Sequence, residues 1–381
     1  MKILFVSHYS ALYGANLSML GLIEDLRKRY GCEITVLVPF FGDLTGKLEE
    51  LGIKYIVTPF YQWEQPNKKT IISKLKNTIK KLLNQFYFYN AYKLLSKDFD
   101  IVHSNSSVIH IGDYLSDKLN IPHIWHLREY GKADYGLDYI YSLKYVKRCY
   151  ERAIACIAIS NDILTYYQNI FPSCIFSKIY NGIKPCDRIE KTTVTDQHIV
   201  KFCCVGLICE GKRQIDILYA VKKLVENDLN NFHISFVGKG DERYISLLKK
   251  FIEINNLQTY VTFLGHQKNV LEILKKEDVG IITSKREAFG RVTVEYMFSS
   301  MPVIGAASGG TVEIIQDGVT GLLYQPENIE ELFLKMKFFL ENRKSISEFG
   351  KNGRKRAEEC FSIEKNTDAI MELYKKVLHL V

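Results

Sequence analysis

Glu287 and Glu295 stand with seven residues between them. A carboxylate accepts two hydroxyl groups at once, such charge-assisted bonds are roughly twice as strong as neutral ones, and a site built for a hydroxyl rejects a ligand that lacks it. Two carboxylates spaced this way suit a ligand carrying two polyols, and Gly290 between them permits close backbone approach. Lys212 and Arg213 place two adjacent cations where a helical pattern begins, and free N–H groups at a helix start also favour anions. With charge-assisted bonds worth about 1.5 to 3 kcal/mol each in a partly desolvated site, that is a diphosphate arrangement. A sugar nucleotide joins both demands, since its ribose and hexose are neutral and its diphosphate is anionic. The plainer alternative is that Glu295 complements a helix dipole and Glu287 is a solvated loop charge.

These residues need elements to hold them. Asp278 to Leu323 reads as a buried strand (Val279 to Ile282), a polar loop with Glu287, a helix from about Arg291 with Glu295 in its first turn, and a strand from Pro302 to Gly305. Gly309-Gly310 then opens a helix start at Thr311. Two helix N-termini thus follow the carboxyl ends of two strands, where open α/β sheets bind ligands. The rest of the chain repeats the plan. Strands are expected at Ile3–His8, Glu33–Pro39, Lys54–Thr58, Asp100–Asn105, Pro122–His126, Ala153–Ile159 and Ile175–Ile179, with a helix over Leu17–Arg29 and a cap at Ser160-Asn161. After a polar linker, Lys184 to His198, strands follow at Ile199–Val205, Phe232–Val237 and Val261–Leu264. Gly238-Lys239-Gly240 is read as turn chemistry, and Asn328–Asn342, Ile346–Glu359 and Ile363–Leu378 as helices.

A chain of 381 residues suits two domains rather than one core. With 47% hydrophobic and 25% charged residues it has a globular composition, it holds no apolar run long enough to cross a bilayer, and KILFVSHY is too short for a signal peptide. Nine scattered cysteines without a C-x-x-C pair argue for reduced thiols in a cytoplasm and against a disulfide frame or zinc site. The net charge of +8 suits an anionic ligand or surface, but the basic residues form no readable nucleic-acid motif. Asp98-Phe99-Asp100 precedes its strand and so falls at the amino end, away from the ligand side, which argues against a metal there.

The string EAFGRVTVEYMFSSMPVIGAASGGTVEIIQDGVTGLLYQP resembles the donor-site signature of the retaining family-four glycosyltransferases (glycosyl transferases group 1), and the likeness extends in weaker form over most of the chain. The resemblance implies the α/β GT-B fold: two Rossmann-like doubly wound domains facing across a cleft, 1–184 for the acceptor and 185–362 for the nucleotide sugar, with a last helix at about 363–381 crossing back to the first. It implies that His126 lies beside the donor sugar and reacting centre, that Glu287 holds sugar hydroxyls with the Phe289 and Gly290 amides, and that Glu295 holds the ribose. It also places Gly14 and Gly206 near the donor. Ala15 stands where a second glycine is usual, Lys212 matches the expected lysine, and Leu207 occupies the expected arginine position, leaving Arg213 as its substitute. Arg128 is a candidate for a phosphate or acceptor charge and Glu129 for orienting it; a surface ion pair is the other reading of these two.

The implied reaction transfers a hexosyl group from a UDP-linked sugar to a glycan or lipid-linked saccharide in cell-surface polysaccharide synthesis, with no metal and no cofactor. A sugar-nucleotide epimerase or glycan phosphorylase of the same fold, and a non-catalytic sugar-nucleotide-binding partner, are the competing functions. Pro66 to Lys97 bears on location. Its lysines alternate with apolar and aromatic residues, so 68–93 fits either a basic amphipathic helix lying on the inner face of an anionic membrane or a helix packed on its domain with solvated lysines.

Overall fold

Short strands with continuous apolar runs build two parallel sheets, each covered by helices on both faces as such runs require. The computed structural model describes residues 1–66, 70–131, 136–186 and 199–379. The chain divides into two units, Met1–Gly182 with Ile363–Val381, and Ile183–Ser362. Most of the linker expected at 184–198, and Lys68 and Lys69, lie outside the described residues.

In the first unit the strands are β1 (Lys2–Val6), β2 (Glu33–Val38), β3 (Lys54–Val57), β5 (Ile101–Ser104), β6 (His123–Leu127), β8 (Ala155–Ala158) and β9 (Phe176–Lys178), in the order β3-β2-β1-β5-β6-β8-β9. All neighbours run parallel, and the register sets Phe5 beside His103 and His103 beside Ile124. One face is covered by the helices Gly14–Tyr30 and Ile363–His379, which contribute Leu22, Ile23, Ile370, Met371 and Tyr374 to a core with Phe5, Ile124 and Ile157. The other face takes Phe88 and Ala91 of the helix Ile71–Leu94 and Ile111 and Leu115 of the helix Ile111–Leu119. The helix Asn161–Ile170 begins as expected, with the Ser160 hydroxyl accepting from the Ile163 N–H at 3.2 Å.

The second unit orders β10 (Val200–Val205), β11 (Phe232–Val237), β12 (Val261–Gly265), β13 (Val279–Ile282), β14 (Val303–Ala306) and β15 (Gly321–Tyr324) as β12-β11-β10-β13-β14-β15, again parallel. Its core runs from Phe202 and Phe236 through Ile281 and Ile304 to the helices Gln214–Glu226 and Ile329–Glu341.

Four details differ from the sequence reading. Residues Gly321–Tyr324 form a strand, because Gly321 fits against the Val303 carbonyl where a Cβ would come within 2.1 Å. Glu64–Pro66 and Leu137–Tyr139 (β4 and β7) make a small antiparallel ribbon. The helix expected at Thr311 ends at Ile314, so it offers little dipole. Glu295 falls past the first turn of Arg291–Phe298 and forms an i,i+4 pair with Arg291 at 2.8 Å.

Candidate active site

In the second unit, the loops that leave β10, β11, β13 and β14 are laced together backbone to backbone. Gly206 (φ +143°) donates its N–H to the Val237 carbonyl at 2.9 Å. A Cβ on Gly238 would lie 1.9 Å from the Gly206 oxygen, and one on Gly240 would lie 1.9 Å from the Ile208 oxygen. Gly238-Lys239-Gly240 is therefore the turn the sequence suggested, and the loop after β10 rests on it. That loop passes through a 3-10 turn, Glu210–Lys212, and a left-handed Arg213 (φ +54°) before the helix starts at Gln214.

The same loop meets the one after β13. The Thr283 hydroxyl donates to the Lys212 carbonyl at 2.7 Å and the Lys285 N–H to the Gly211 carbonyl at 3.2 Å. On the far side, the Gly310 N–H donates to the Glu287 carbonyl at 2.7 Å, and a Cβ on Gly309 would come within 2.1 Å of that oxygen. Held from both sides, the segment brings the Glu287 carboxylate onto the Lys212 ammonium as an ion pair. Their side chains are 17% and 36% exposed, so the pair is reachable from solvent. Arg213 goes elsewhere. Its guanidinium makes a two-pronged pair with the buried Asp216, at 2.7 and 2.9 Å, and reaches Glu327 at 3.3 Å. Gly290 (φ +103°) precedes the helix Arg291–Phe298, while the Phe289 ring is buried and packs edge-on to Phe361 at 5.9 Å.

One structural residue of this region had no signal in the sequence. Tyr296 is fully buried, accepts from the Val205 N–H at 2.7 Å and donates to the Cys203 carbonyl at 3.1 Å. It thereby pins the helix that carries Glu295 to the end of β10. Gly280 leaves room for its ring, since a Cβ there would lie 2.2 Å from Cδ2.

In the first unit the polar residues gather after β1, β5 and β6. His126 lies near the carboxyl end of β6, where the sequence reading put it, and is fully buried. Its Nδ1 faces His103 Nε2 at 3.1 Å and Arg128 Nη2 at 3.3 Å, while His103 Nδ1 faces the Tyr374 hydroxyl at 2.6 Å. Burial holds both imidazoles well below their ordinary pKa, and the nearby Arg128 charge adds to the effect. Arg128 is buried too, donating from Nε to Asn105 Oδ1 at 2.7 Å and from Nη1 to Asn181 Oδ1. Glu129 is directed away from it, with Oε1 accepting from Ser106 Oγ at 2.6 Å, Ser107 N at 2.6 Å and Ser107 Oγ at 2.7 Å. Neither is the surface ion pair considered above. Gly14 begins its helix in the open, and a Cβ there would have nothing within 4 Å, so packing does not explain a glycine at that position. Among the described residues no group of three or more His, Cys, Asp or Glu side chains is placed to hold a metal ion.

The model of the glycosyl transferases group 1 matches residues 188–356, and that of glycosyltransferase family 4 matches residues 13–185. An uncharacterized glycosyltransferase of Methanocaldococcus jannaschii is 26% identical over 368 residues, covering 90% of this chain and 97% of its own. The UDP-Gal:alpha-D-GlcNAc-diphosphoundecaprenol alpha-1,3-galactosyltransferase of Escherichia coli is 25% identical over 303 residues, covering 75% of this chain and 78% of its own. Among solved structures, Anabaena HepE in complex with UDP superposes with a TM-score of 0.81 at 21% identity, over 99% of this chain and 100% of that one. Sucrose-phosphate synthase of Thermosynechococcus elongatus superposes with a TM-score of 0.76 at 18% identity, over 100% of each chain.

Proposed function

The chain belongs to the family-four glycosyltransferases (glycosyl transferases group 1) of GT-B fold, and from that membership we propose that it transfers a hexosyl group from a UDP-linked sugar to a hydroxyl of a glycan or lipid-linked saccharide, with retention at the anomeric carbon. The observation that carries this reading is the Lys212–Glu287 pair at the loop tips beyond β10 and β13. The two charges neutralise one another until a ligand offers each a better partner, and a sugar diphosphate does so. Its phosphates take the ammonium and its hexose hydroxyls take the carboxylate. Support for the donor comes from HepE, whose structures hold UDP and UDP-glucose, and support for the acceptor from the E. coli enzyme, whose name gives a diphosphoundecaprenol saccharide.

Breaking the bond from the anomeric carbon to the β-phosphate leaves negative charge on the diphosphate and oxocarbenium character on the sugar. Lys212, with loop N–H groups near Gly206, stabilises the leaving group by preorganised charge. Glu287 holds the hexose, assisted by the Phe289 and Gly290 amides, and Glu295 exchanges Arg291 for the ribose. Arg213 acts indirectly, by fixing the turn through Asp216. We assign His126 to the same sugar and Arg128 to its support. The acceptor hydroxyl attacks on the face the leaving group departs from, its proton passing to an oxygen of the departing β-phosphate, with no glycosyl-enzyme intermediate.

The acceptor lies at a membrane. Along the helix Ile71–Leu94, Ile72, Leu75, Ile79, Leu82, Phe86 and Tyr89 follow alternating steps of three and four, and each is between 46% and 67% exposed. The helix contains five lysines and no acidic residue. A second copy would set lysine against lysine, whereas anionic lipid answers both the stripe and its charge. No helix among the described residues is long and apolar enough to cross a bilayer; the contact proposed is one of this exposed stripe with the membrane surface.

A panel of nucleotide sugars, followed by thermal unfolding and by turnover with a saccharide acceptor, tests the reaction. The correct donor at a hundredfold its Kd stabilises by about 2.7 kcal/mol. Donor conversion without any acceptor would make the protein an epimerase, phosphorolysis of a glycan would make it a phosphorylase, and binding without turnover would make it a non-catalytic sugar-nucleotide-binding partner. Sedimentation with phosphatidylglycerol vesicles, lost in Leu75→Glu with Leu82→Glu, tests the membrane contact; equal binding by the double variant would refute it.

A further inference from the structure

We propose that Tyr374 and His103 are positioning residues: through two hydrogen bonds they fix the one N–H of His126 on Nε2, so that this imidazole meets the transferred sugar as a hydrogen-bond donor and not as a general base. The inference rests on His126 serving the reaction proposed above.

The direction of every bond in the chain follows from one group. A guanidinium has N–H donors and no acceptor. Arg128 Nη2 lies 3.3 Å from His126 Nδ1, so that nitrogen must offer a lone pair. His103 Nε2 faces the same nitrogen at 3.1 Å and must therefore donate. Each buried imidazole is neutral and carries a single N–H, its pKa held well below the usual value by burial and by the Arg128 charge. His103 Nδ1 is then an acceptor, and the Tyr374 hydroxyl, 2.6 Å away, donates to it. The order is Tyr374 O–H to His103, His103 N–H to His126, with Arg128 reinforcing the last step. Reversing any one bond would set two N–H groups, or two lone pairs, against each other.

A second observation shows where the chain leads. His126 Nε2, which this order leaves protonated, is buried and has no hydrogen-bond partner among the described residues. A polar network that serves packing alone closes at both ends, because an unmet buried donor is costly. Here the Tyr374 end is closed and the His126 end is open. An N–H in that position suits an oxygen of a bound ligand, such as a sugar hydroxyl or an ester oxygen. His103 is flanked by Phe5 at 4.6 Å and by Tyr374 at 5.8 Å between ring centroids.

The test uses the full chain labelled with 15N-histidine, in which long-range 1H–15N NMR separates the two tautomers, and His126→Gln and His103→Gln assign the signals. In the wild-type protein His126 should show Nε2 protonated and Nδ1 bare, unchanged between about pH 6 and 8. A 15N–15N coupling should join it to a protonated His103 Nε2. Tyr374→Phe removes the donor to His103 Nδ1, so His103 should divide between both tautomers, His126 Nδ1 should keep only Arg128 as a steady donor and shift its signal, and kcat should fall about fivefold to tenfold, the worth of one hydrogen bond, with donor KM unchanged. A wild-type His126 protonated on Nδ1, a missing coupling, or a His126 signal identical in Tyr374→Phe would overturn the proposal. If Tyr374→Phe does not fold, the wild-type tautomer and coupling still decide it. A protein that turns over no sugar nucleotide would instead refute the reaction, and the NMR result would stand apart from that failure.

Discussion

The ammonium of Lys212 and the carboxylate of Glu287, 75 positions apart in the chain, are ion-paired across two loops that leave neighbouring strands. Partly exposed pairs contribute about 0 to 1 kcal/mol to stability. Lys212→Ala and Glu287→Ala should therefore unfold within a few degrees of the parent while each lowers turnover at least about a hundredfold, the range of one lost transition-state contact. Thermal unfolding and kcat, measured on the same samples, check the split. Loss of both together would make the pair structural.

Tyr296→Phe removes only an oxygen but leaves the Val205 N–H and the Cys203 carbonyl without that partner in the core. The expected cost is about 1 to 3 kcal/mol of unfolding free energy in the second unit, read from urea denaturation. Gly280→Ala should cost at least as much, because its Cβ would overlap the Tyr296 ring.

Gly238 and Gly14 make opposite predictions. Gly238→Ala places a Cβ 1.9 Å from the Gly206 carbonyl at φ +147°, so the loop beneath Lys212 must move and yield of folded protein should fall. At Gly14 a Cβ meets nothing, and Gly14→Ala should leave the melting temperature unchanged or slightly raised. If donor or acceptor passes close to Gly14, turnover drops all the same; a fully active Gly14→Ala would remove it from the site.

Acid should weaken the first unit. Burial lowers both His110 and His123 to about 3, against about 6.5 when unfolded. Between those values the unfolded chain binds the protons and the folded one does not, so stability is whole above pH 6.5 and is lost as pH falls. Each such histidine contributes a slope of about 1.4 kcal/mol per pH unit in that window. Calorimetry at pH 7, 6 and 5 should show the decline, and His110→Phe should make it shallower by about 1.4 kcal/mol per pH unit while His123 keeps its share; a flat profile in the parent would refute the assignment.

How much of this is legible in the amino-acid string differs by element. The strands around Phe202, Phe236 and Ile281 announce themselves as apolar runs ended by glycine or polar residues, and the Glu287 to Glu295 spacing marks a site loop. The strand Gly321–Tyr324 is short and begins with a glycine, so turn chemistry conceals it. Leu137–Tyr139 is shorter still and pairs with a segment ending in Pro66. Arg213 looked like a phosphate ligand because its cation adjoins Lys212; only the left-handed backbone turns it toward Asp216. The burial of His126 depends on a helix 271 positions beyond His103, a separation over which no local pattern carries information.

Because Ile370, Met371 and Tyr374 complete the core begun by Phe5 and Ile23, the first unit is assembled from two stretches separated by the whole of the second. A ribosome delivers the earlier stretch long before the later one. Until residues 363–379 emerge, the helix Gly14–Tyr30 alone covers that side of the seven-stranded sheet, and His103 lacks its partner Tyr374. The intervening unit can fold meanwhile as an insertion. A nascent chain halted before Ile363 should accordingly be cut by protease in its amino-terminal half while 199–362 resists.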